Sequence, residues 1–308
     1  MYYPYLRARQ FELIALRELA KEGKLNNIVP ILEPVKTSFN NFKLAFDVFF
    51  KNNIYCYIIL NPSVGDTNTQ EILNFLNSYD TNLFKPALIS KAAKTDNISQ
   101  FIEENECENY MLIFNSNLEV NQDFLDLINS DVIESVCVED PNSNRSLDRS
   151  LKGLNVNYIR LDDEFPSEKR NSNYLEILSR KFSEEHRYFN DENYDGFSNY
   201  TVLSSSFQDG GGPPRAVVIH LTYFNNQNNI WISHFTSDSN DSISNIQGKF
   251  AQASSKAVDF IHQQGLEINS ALQELINYVD EQHYPGLGVV KKISIKNHIL
   301  LLSSYLNR

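Results

Sequence analysis

Carboxylates, amides and cations recur in this chain at one kind of place, directly after a short apolar run. Glu33 and Lys36 close IVPILEPVK, Asn61 closes YCYIILN, Ser90 and Lys91 follow KPALI, and Asn115 closes YMLIFN. Glu139 and Asp140 end VIESVCVED, and Asp162 and Asp163 end VNYIRLDD. Gathered at one mouth, such groups would bind a divalent metal through oxygen, or supply a general acid and a general base. Glu33, Glu139, Asp162 and Lys91 are therefore the candidate catalytic residues. The alternative is that polar residues simply resume where a strand reaches solvent. Glu33 resists that alternative, because it stands among apolar residues and prolines in PILEPVK. A buried carboxylate needs a partner or a raised pKa, and Lys36, Lys91 and Arg160 are the cations within reach of that role.

Further ligand-binding candidates are Arg7, Lys36, Asn61, Asn115, Arg215, His220 and Asp238. In SSSFQDGGGPPRAVVIHLTY, Gly210, Gly211 and Gly212 invite comparison with a phosphate cradle. A cradle needs backbone N–H groups converging at a helix N-terminus, whereas here two prolines remove donors and a strand follows. The stretch reads as a connection, with Arg215 able to clamp a phosphate or carboxylate. His220 and His234 are centred in apolar alternations, VVIHLTY and WISHFTS, and no carboxylate at fixed spacing makes them a zinc pair. They read first as histidines of a packed sheet. No GxSxG, HExxH, CxxC or Walker-type pattern occurs.

The elements that must position these residues follow a repeat. Apolar runs begin at 28, 55, 85, 110, 132 and 156, so successive starts lie 22–30 residues apart. Between them lie FKLAFDVFFKN, TQEILNFLNSY, ISQFIEENE and NQDFLDLIN, with apolar residues at helical spacing. Near-continuous apolar strands alternating with helices predict a parallel sheet covered on both faces. A (β/α)8 TIM-barrel-like fold is preferred, with an open doubly wound sheet as the alternative. After residue 165 the rhythm breaks. YLEILSRKFSEE reads as a helix, and 200–207, 216–224 and 230–237 read as an antiparallel meander, their connections being too short for crossover helices. If 200–207 runs with the first six strands, loops 208–215 and 238–245 fall at the C-terminal end of the sheet, where ligands bind in such folds. Residues 246–308 read as mostly helical, broken near Gly265, with the last stretch ambiguous between helix and strand. The N-terminal YYPY reads as a short extended piece leading into a helix whose face carries Phe11, Ile14, Ala15 and Leu19. No linker marks a second domain, so 1–308 is expected to form one barrel-like unit.

The chain has 308 residues and a net charge of -12. Such a chain is a poor non-specific nucleic-acid binder, since phosphate neutralisation needs clustered Lys and Arg; Lys291, Lys292 and Lys296 form the one local basic cluster considered. No run approaches the ~18 apolar residues of a membrane span, and the N-terminus has no signal-like apolar core. Cys56, Cys107 and Cys137 are scattered, and two of them sit in apolar strand-like runs, as reduced buried thiols do. A cytoplasmic location is expected.

MYYPYLRARQFELIALRELA and IVPILEPVK, with the later blocks FSNYTVLSSSF, GGPPRAVVIHLTYF, ISHFTSDSND and GKFAQA, carry a resemblance over most of the chain. The sequence resembles an uncharacterised bacterial "sce"-type family encoded beside a small nuclease-like protein, similar to the phage and prophage "beta protein" family. The family-like positions are Tyr3, Pro4, Arg7, Glu12, Glu33, Gly211, His220, Tyr223, His234, Asp238 and Lys249. The resemblance implies a barrel-like α/β fold, a setting in mobile elements or anti-phage defence, and a nuclease-like partner, but no reaction. Two functions are therefore expected as alternatives. One is a ligand sensor or regulator working with that partner. The other is a metal-assisted hydrolase of a phosphate-containing small molecule or nucleotide, of phosphodiesterase type, using carboxylates at the barrel mouth.

Overall fold

The computed structural model describes residues 1–79, 83–90, 95–105, 107–118, 121–177, 179–209 and 214–308. Lys91 and the three glycines at 210–212 lie outside the described residues, so the expectations placed on them stay with the sequence. Eight parallel strands close a barrel: β1 (Tyr2–Leu6), β2 (Ile31–Leu32), β3 (Cys56–Ile59), β4 (Phe84–Ile89), β5 (Tyr110–Asn115), β6 (Ile133–Glu139), β7 (Asn157–Asp162) and β9 (Gly196–Asn199). Helices α1 (Gln10–Lys21), α2 (Asn40–Lys51), α3 (Thr69–Leu76), α4 (Thr95–Asn105), α5 (Gln122–Ile128) and α6 (Arg145–Leu151) alternate with the first seven strands. The fold is α/β and TIM-barrel-like, and closure removes the open-sheet alternative.

Closure depends on β1, which pairs with β2 through Tyr5↔Ile31 and with β9 through Tyr2↔Phe197. YYPY, read from sequence as a short extended lead-in to a helix, is thus a strand flanked on both sides, an unusual place for a proline. All five residues of β1 are nonetheless buried, which offsets the one ladder donor missing at Pro4. The eighth strand is Gly196–Asn199 rather than the expected 200–207. A Cβ at Gly196 would lie 2.5 Å from the Tyr3 ring, so only glycine lets β9 approach β1 there.

A second sheet has the order β10-β11-β8, from β10 (Val218–Phe224), β11 (Ile230–Thr236) and β8 (Ser179–Ser183). The β10–β11 hairpin is the one the sequence predicts, but its third strand comes from YLEILSRKFSEE, read there as a helix. Within β8 only Phe182 and Ser183 are buried, and backbone pairing to β11 decides the conformation over the helical spacing. Helix α7 (Glu185–Tyr188) returns the chain to β9.

Helix α8 (Ile246–Gln264) ends at Gly265, whose φ of 60° is the left-handed cap that breaks the helical region there. After α9 (Ser270–Asp280), α10 (Leu287–Leu306) settles the ambiguous C-terminal stretch as a helix. It is buried along much of its length between α1, α9 and β10. Lys291, Lys292 and Lys296 form no exposed basic patch: Lys292 and Lys296 are buried against Glu18, Glu22 and Glu274, and Lys291 faces Glu12. Among the described residues no helix is long and apolar enough to cross a membrane.

Two apolar cores fix the direction of every barrel residue. Tyr3, Tyr5, Ile31, Tyr57, Ile59, Met111, Ile113, Cys137, Ile159 and Leu161 fill the barrel interior. The residues between them, such as Leu32, Ile58, Leu112, Val138 and Tyr158, pack outward against the helices. That alternation, continued past the strand ends, decides which polar residues reach the mouth.

Candidate functional site

One step of two residues beyond the inward-facing positions lands on Arg7, Glu33, Asn61, Asn115, Glu139, Asp163 and Tyr200. These residues come from the C-terminal ends of seven strands, where barrel enzymes place their chemistry.

Glu33 is fully buried and fully engaged. Its Oε2 accepts from the Tyr5 hydroxyl at 2.7 Å and contacts the Arg7 guanidinium, while its Oε1 accepts from the Ser63 backbone N–H at 2.6 Å and the Ser63 hydroxyl at 2.9 Å. Ser63 is held in place by the close approach of Gly65 to residue 35. A Cβ at Gly65 would lie 2.3 Å from the Val35 carbonyl oxygen, and its φ of 91° suits glycine. Among the described residues the cation paired with Glu33 is thus Arg7, not Lys36 or Arg160. Lys36 reaches Asp209 at 2.7 Å and Asp66 at 3.8 Å. Arg160 faces outward and holds Asp162, Glu185 and Glu192.

Arg7 is the centre of the arrangement. Ala8, at φ 51°, turns the chain from β1 into α1 just after it. The guanidinium lies 5.0 Å from the Tyr5 ring centroid and 5.6 Å from that of Tyr200, and Nη2 donates to Ser205 O at 2.7 Å. Its Nε is buried with no hydrogen-bond partner among the described residues. Burial pushes the Tyr5 and Tyr200 phenols upward, so both stay neutral donors near pH 7.

Glu139 is half-buried and accepts from the Tyr200 hydroxyl at 3.4 Å. Burial raises its pKa, the Asp163 charge beside it adds to the rise, and Tyr200 and Arg7 oppose it. Asp163 accepts from the Ser205 backbone N–H at 3.2 Å and from its hydroxyl at 2.5 Å. Arg7 and Asp163 therefore grip opposite polarities of Ser205, and the segment after β9 is strapped over the mouth. Arg9 extends the strap through Gln208 O at 2.5 Å, and Lys36 through Asp209.

Several expected site residues are placed elsewhere. Asp162 has the wrong parity: it forms a paired contact with Arg160 at 2.9 and 3.0 Å on the outside of the barrel, and Asp163 takes its place at the mouth. The Asn61 amide is spent on the Ile89 backbone, at 2.9 and 2.8 Å, as an extension of the β3–β4 ladder. Asn115 is exposed and accepts from Asn117 N at 3.2 Å. Asp238 pairs with Lys256 of α8 at 2.6 Å, and loop 238–245 is tied to that helix through Ser239–Gln252 and Ser242–Lys249 rather than to the barrel rim. Arg215 is exposed and touches Asp241 O at 3.5 Å. His220 meets His234 across the hairpin, Nδ1 to Nδ1 at 2.7 Å, packed by Phe165 and Tyr174. Burial lowers His220 to about 3 and His234 to about 4, so the pair is neutral, as a packed sheet pair should be. Among the described residues no three His, Cys, Asp or Glu side chains group as a metal-ligand set, so the divalent-metal expectation finds no ready ligands there.

Sequence reasoning passed over Tyr5, Ser63 and Tyr200, and of the strand-end pair Asp162 and Asp163 it chose Asp162. The signal that would have found all but Ser63 was the period of two, counted forward from the interior residues of each strand. Comparison of the chain with family models, curated proteins and solved structures finds no match.

Proposed function

We propose that the barrel mouth is an acid–base site for an anionic small molecule, hydrolysing a phosphate ester. The observation that carries this reading is the Arg7 guanidinium, held by Glu33 between two neutral tyrosines with a buried N–H to spare, beside a carboxyl of raised pKa. Arg7 clamps the phosphate oxygens. Water adds to phosphorus and gives a proton to Asp163; the bond to the leaving oxygen breaks, and Glu139 supplies the proton that oxygen needs. Tyr200 steers the Glu139 carboxyl. Glu33 positions Arg7 and does not touch the substrate, because all its acceptor sites are taken.

A screen of phosphate monoesters and diesters with the wild-type chain and the variants Glu139→Gln and Arg7→Lys tests the reading. The expectation is that Glu139→Gln lowers turnover by about 10²-fold, the lower range for a general acid. Full turnover in Glu139→Gln would sink the assignment.

A second reading draws on the strap. In it the chain is a cytoplasmic ligand sensor of an anti-phage defence or mobile-element module, working with a nuclease-like partner. Arg7 gives one N–H to Ser205 O, so an anion that captures Arg7 competes with the segment leading to β10. Co-purification with a nuclease-like neighbour that weakens when Ser205→Pro breaks the strap supports it; a solitary protein whose deletion leaves phage sensitivity unchanged rules it out.

A further inference from the structure

Between the barrel rim and the second sheet lies a cleft of about 410 Å³, within the ~300–1,000 Å³ range of small-molecule sites. Its two walls differ in chemistry. The first comes from the β1–α1 junction and α10 and is cationic: Arg7, Arg9 and Lys291, against the carboxylates of Glu12 and, from the β7–β8 connection, Glu168. None of the three cations is saturated. The Arg7 Nε has no partner among the described residues, Arg9 holds a loop carbonyl and reaches Asp209 only at 3.6 Å, and Lys291 meets Glu12 only at 3.5 Å. An arginine carries five N–H donors and a lysine three, so donors remain for an incoming anion.

The second wall is aromatic. Phe165 and Tyr174 stand edge-on to His220 at 5.0 and 4.9 Å, and Val218 and Leu203 complete an apolar surface of the kind on which a flat ring packs. Between the walls, Asn171 gives its amide nitrogen to Ala216 O at 2.9 Å and keeps its carbonyl oxygen as an acceptor.

We propose that this cleft binds a planar aromatic monophosphate of the nucleoside monophosphate class, with phosphate on Arg7, Arg9 and Lys291 and the ring against Tyr174, Phe165 and His220. The assignment rests on the mouth reading in that Arg7 serves both sites. It names the ligand class the mouth reading leaves open.

Isothermal titration calorimetry on the full chain, with AMP, adenosine and inorganic phosphate as probes, tests it. AMP should bind at least about tenfold tighter than either fragment, since both walls are then used. Arg9→Gln, at a partly exposed position, and Val218→Phe, on an outer strand of the sheet, should each weaken AMP by about tenfold or more with thermal melts close to wild type. Asp162→Asn, on the outside of the barrel, should leave AMP affinity within about twofold, because Asp162 lines neither the mouth nor the cleft. AMP affinity unchanged in both Arg9→Gln and Val218→Phe, AMP binding no tighter than phosphate, or no AMP binding at about 1 mM would overturn the cleft assignment. A loss of phosphatase turnover in Glu139→Gln alongside any of those results would leave the mouth reading standing, so the two fail separately.

Discussion

Arg7 and Arg160 each hold carboxylates near the top of a barrel strand, and they differ in the direction their strands present them. Arg160 points outward from β7. It binds Asp162 at 2.9 Å, Glu185 at 2.8 Å and Glu192 at 3.0 Å, and so clamps α7 and the turn after it to the barrel wall. Every partner there is protein, and the cluster is a joint. Arg7 points inward. It has one buried carboxylate, two aromatic faces, a strap carbonyl and an unused N–H, with Glu139 close enough to feel its charge. The same pair of residue types therefore builds a fastening on one face of the sheet and a site on the other, and the period of two decides which.

The largest effect expected from breaking this contrast is on stability at the mouth. Glu33→Gln leaves the Arg7 guanidinium without its counter-charge in a nearly closed setting, and should cost about 3 kcal/mol in urea unfolding, at the low end for severing a buried pair. A cost below about 1 kcal/mol would mean that Arg7 repairs itself with another partner. Second in size, Glu139→Gln should lower phosphatase turnover about 10²-fold with stability nearly unchanged, while Asp162→Asn leaves turnover alone. If Asp162→Asn were the damaging change, the parity argument would be wrong.

Third, Arg160→Met should cost about 2 kcal/mol, discounted because its carboxylate partners are partly solvated, and should not alter AMP affinity. Proteolysis within α7 should become faster in that variant.

The smallest change expected from a single variant, about 1 kcal/mol per pH unit, is in pH dependence, where the two kinds of buried group oppose each other. Burial raises Glu164 and Glu185 of the outer cluster to about 7. A raised carboxylate binds its proton more tightly in the fold, so these two favour the folded state increasingly as pH falls from about 7 towards 4.5. Burial lowers His186 and His234 to about 4 and His220 and His298 to about 3. These four remove stability as pH falls from 6.5 through those values, because the unfolded chain takes up the protons. Four histidines outweigh two carboxylates, and unfolding free energy should drop by roughly 2 kcal/mol per pH unit below 6.5. In Glu185→Gln the drop should steepen by roughly 1 kcal/mol per unit, since one opposing carboxyl is gone. A flat profile in both proteins would contradict these protonation states.

The repeating strand–helix rhythm of 28–163 was legible in the sequence because those barrel strands are mostly apolar on both faces and each helix keeps its own spacing. The two strands that close the barrel were less legible for opposite reasons. β1 contains Pro4, which reads as a strand breaker until both neighbours are known, and β9 is the four-residue GFSN, with a glycine chosen by the Tyr3 ring. β8 owes its conformation to pairing with β11, a partner about 50 residues away that local periodicity cannot see. At the site, Glu33 and Glu139 stood out as charges ending apolar runs. Asp162 and Asp163 are adjacent and alike in type, so residue type could not separate them; only counting from Leu161 in the interior does. Arg7 was visible as a cation, but its pairing with Glu33 requires β1 and β2 to be neighbours, and that is a fact of closure.

The most direct test of the mouth as the functional site is a titration of the Glu139 carboxyl, followed by its side-chain 13C resonance, with and without inorganic phosphate. The account predicts a midpoint above the usual glutamate range of about 4.3, moving higher when phosphate occupies Arg7 and brings a second negative charge close. A midpoint at the ordinary value that ignores phosphate, with the Asp162 resonance responding instead, would contradict it.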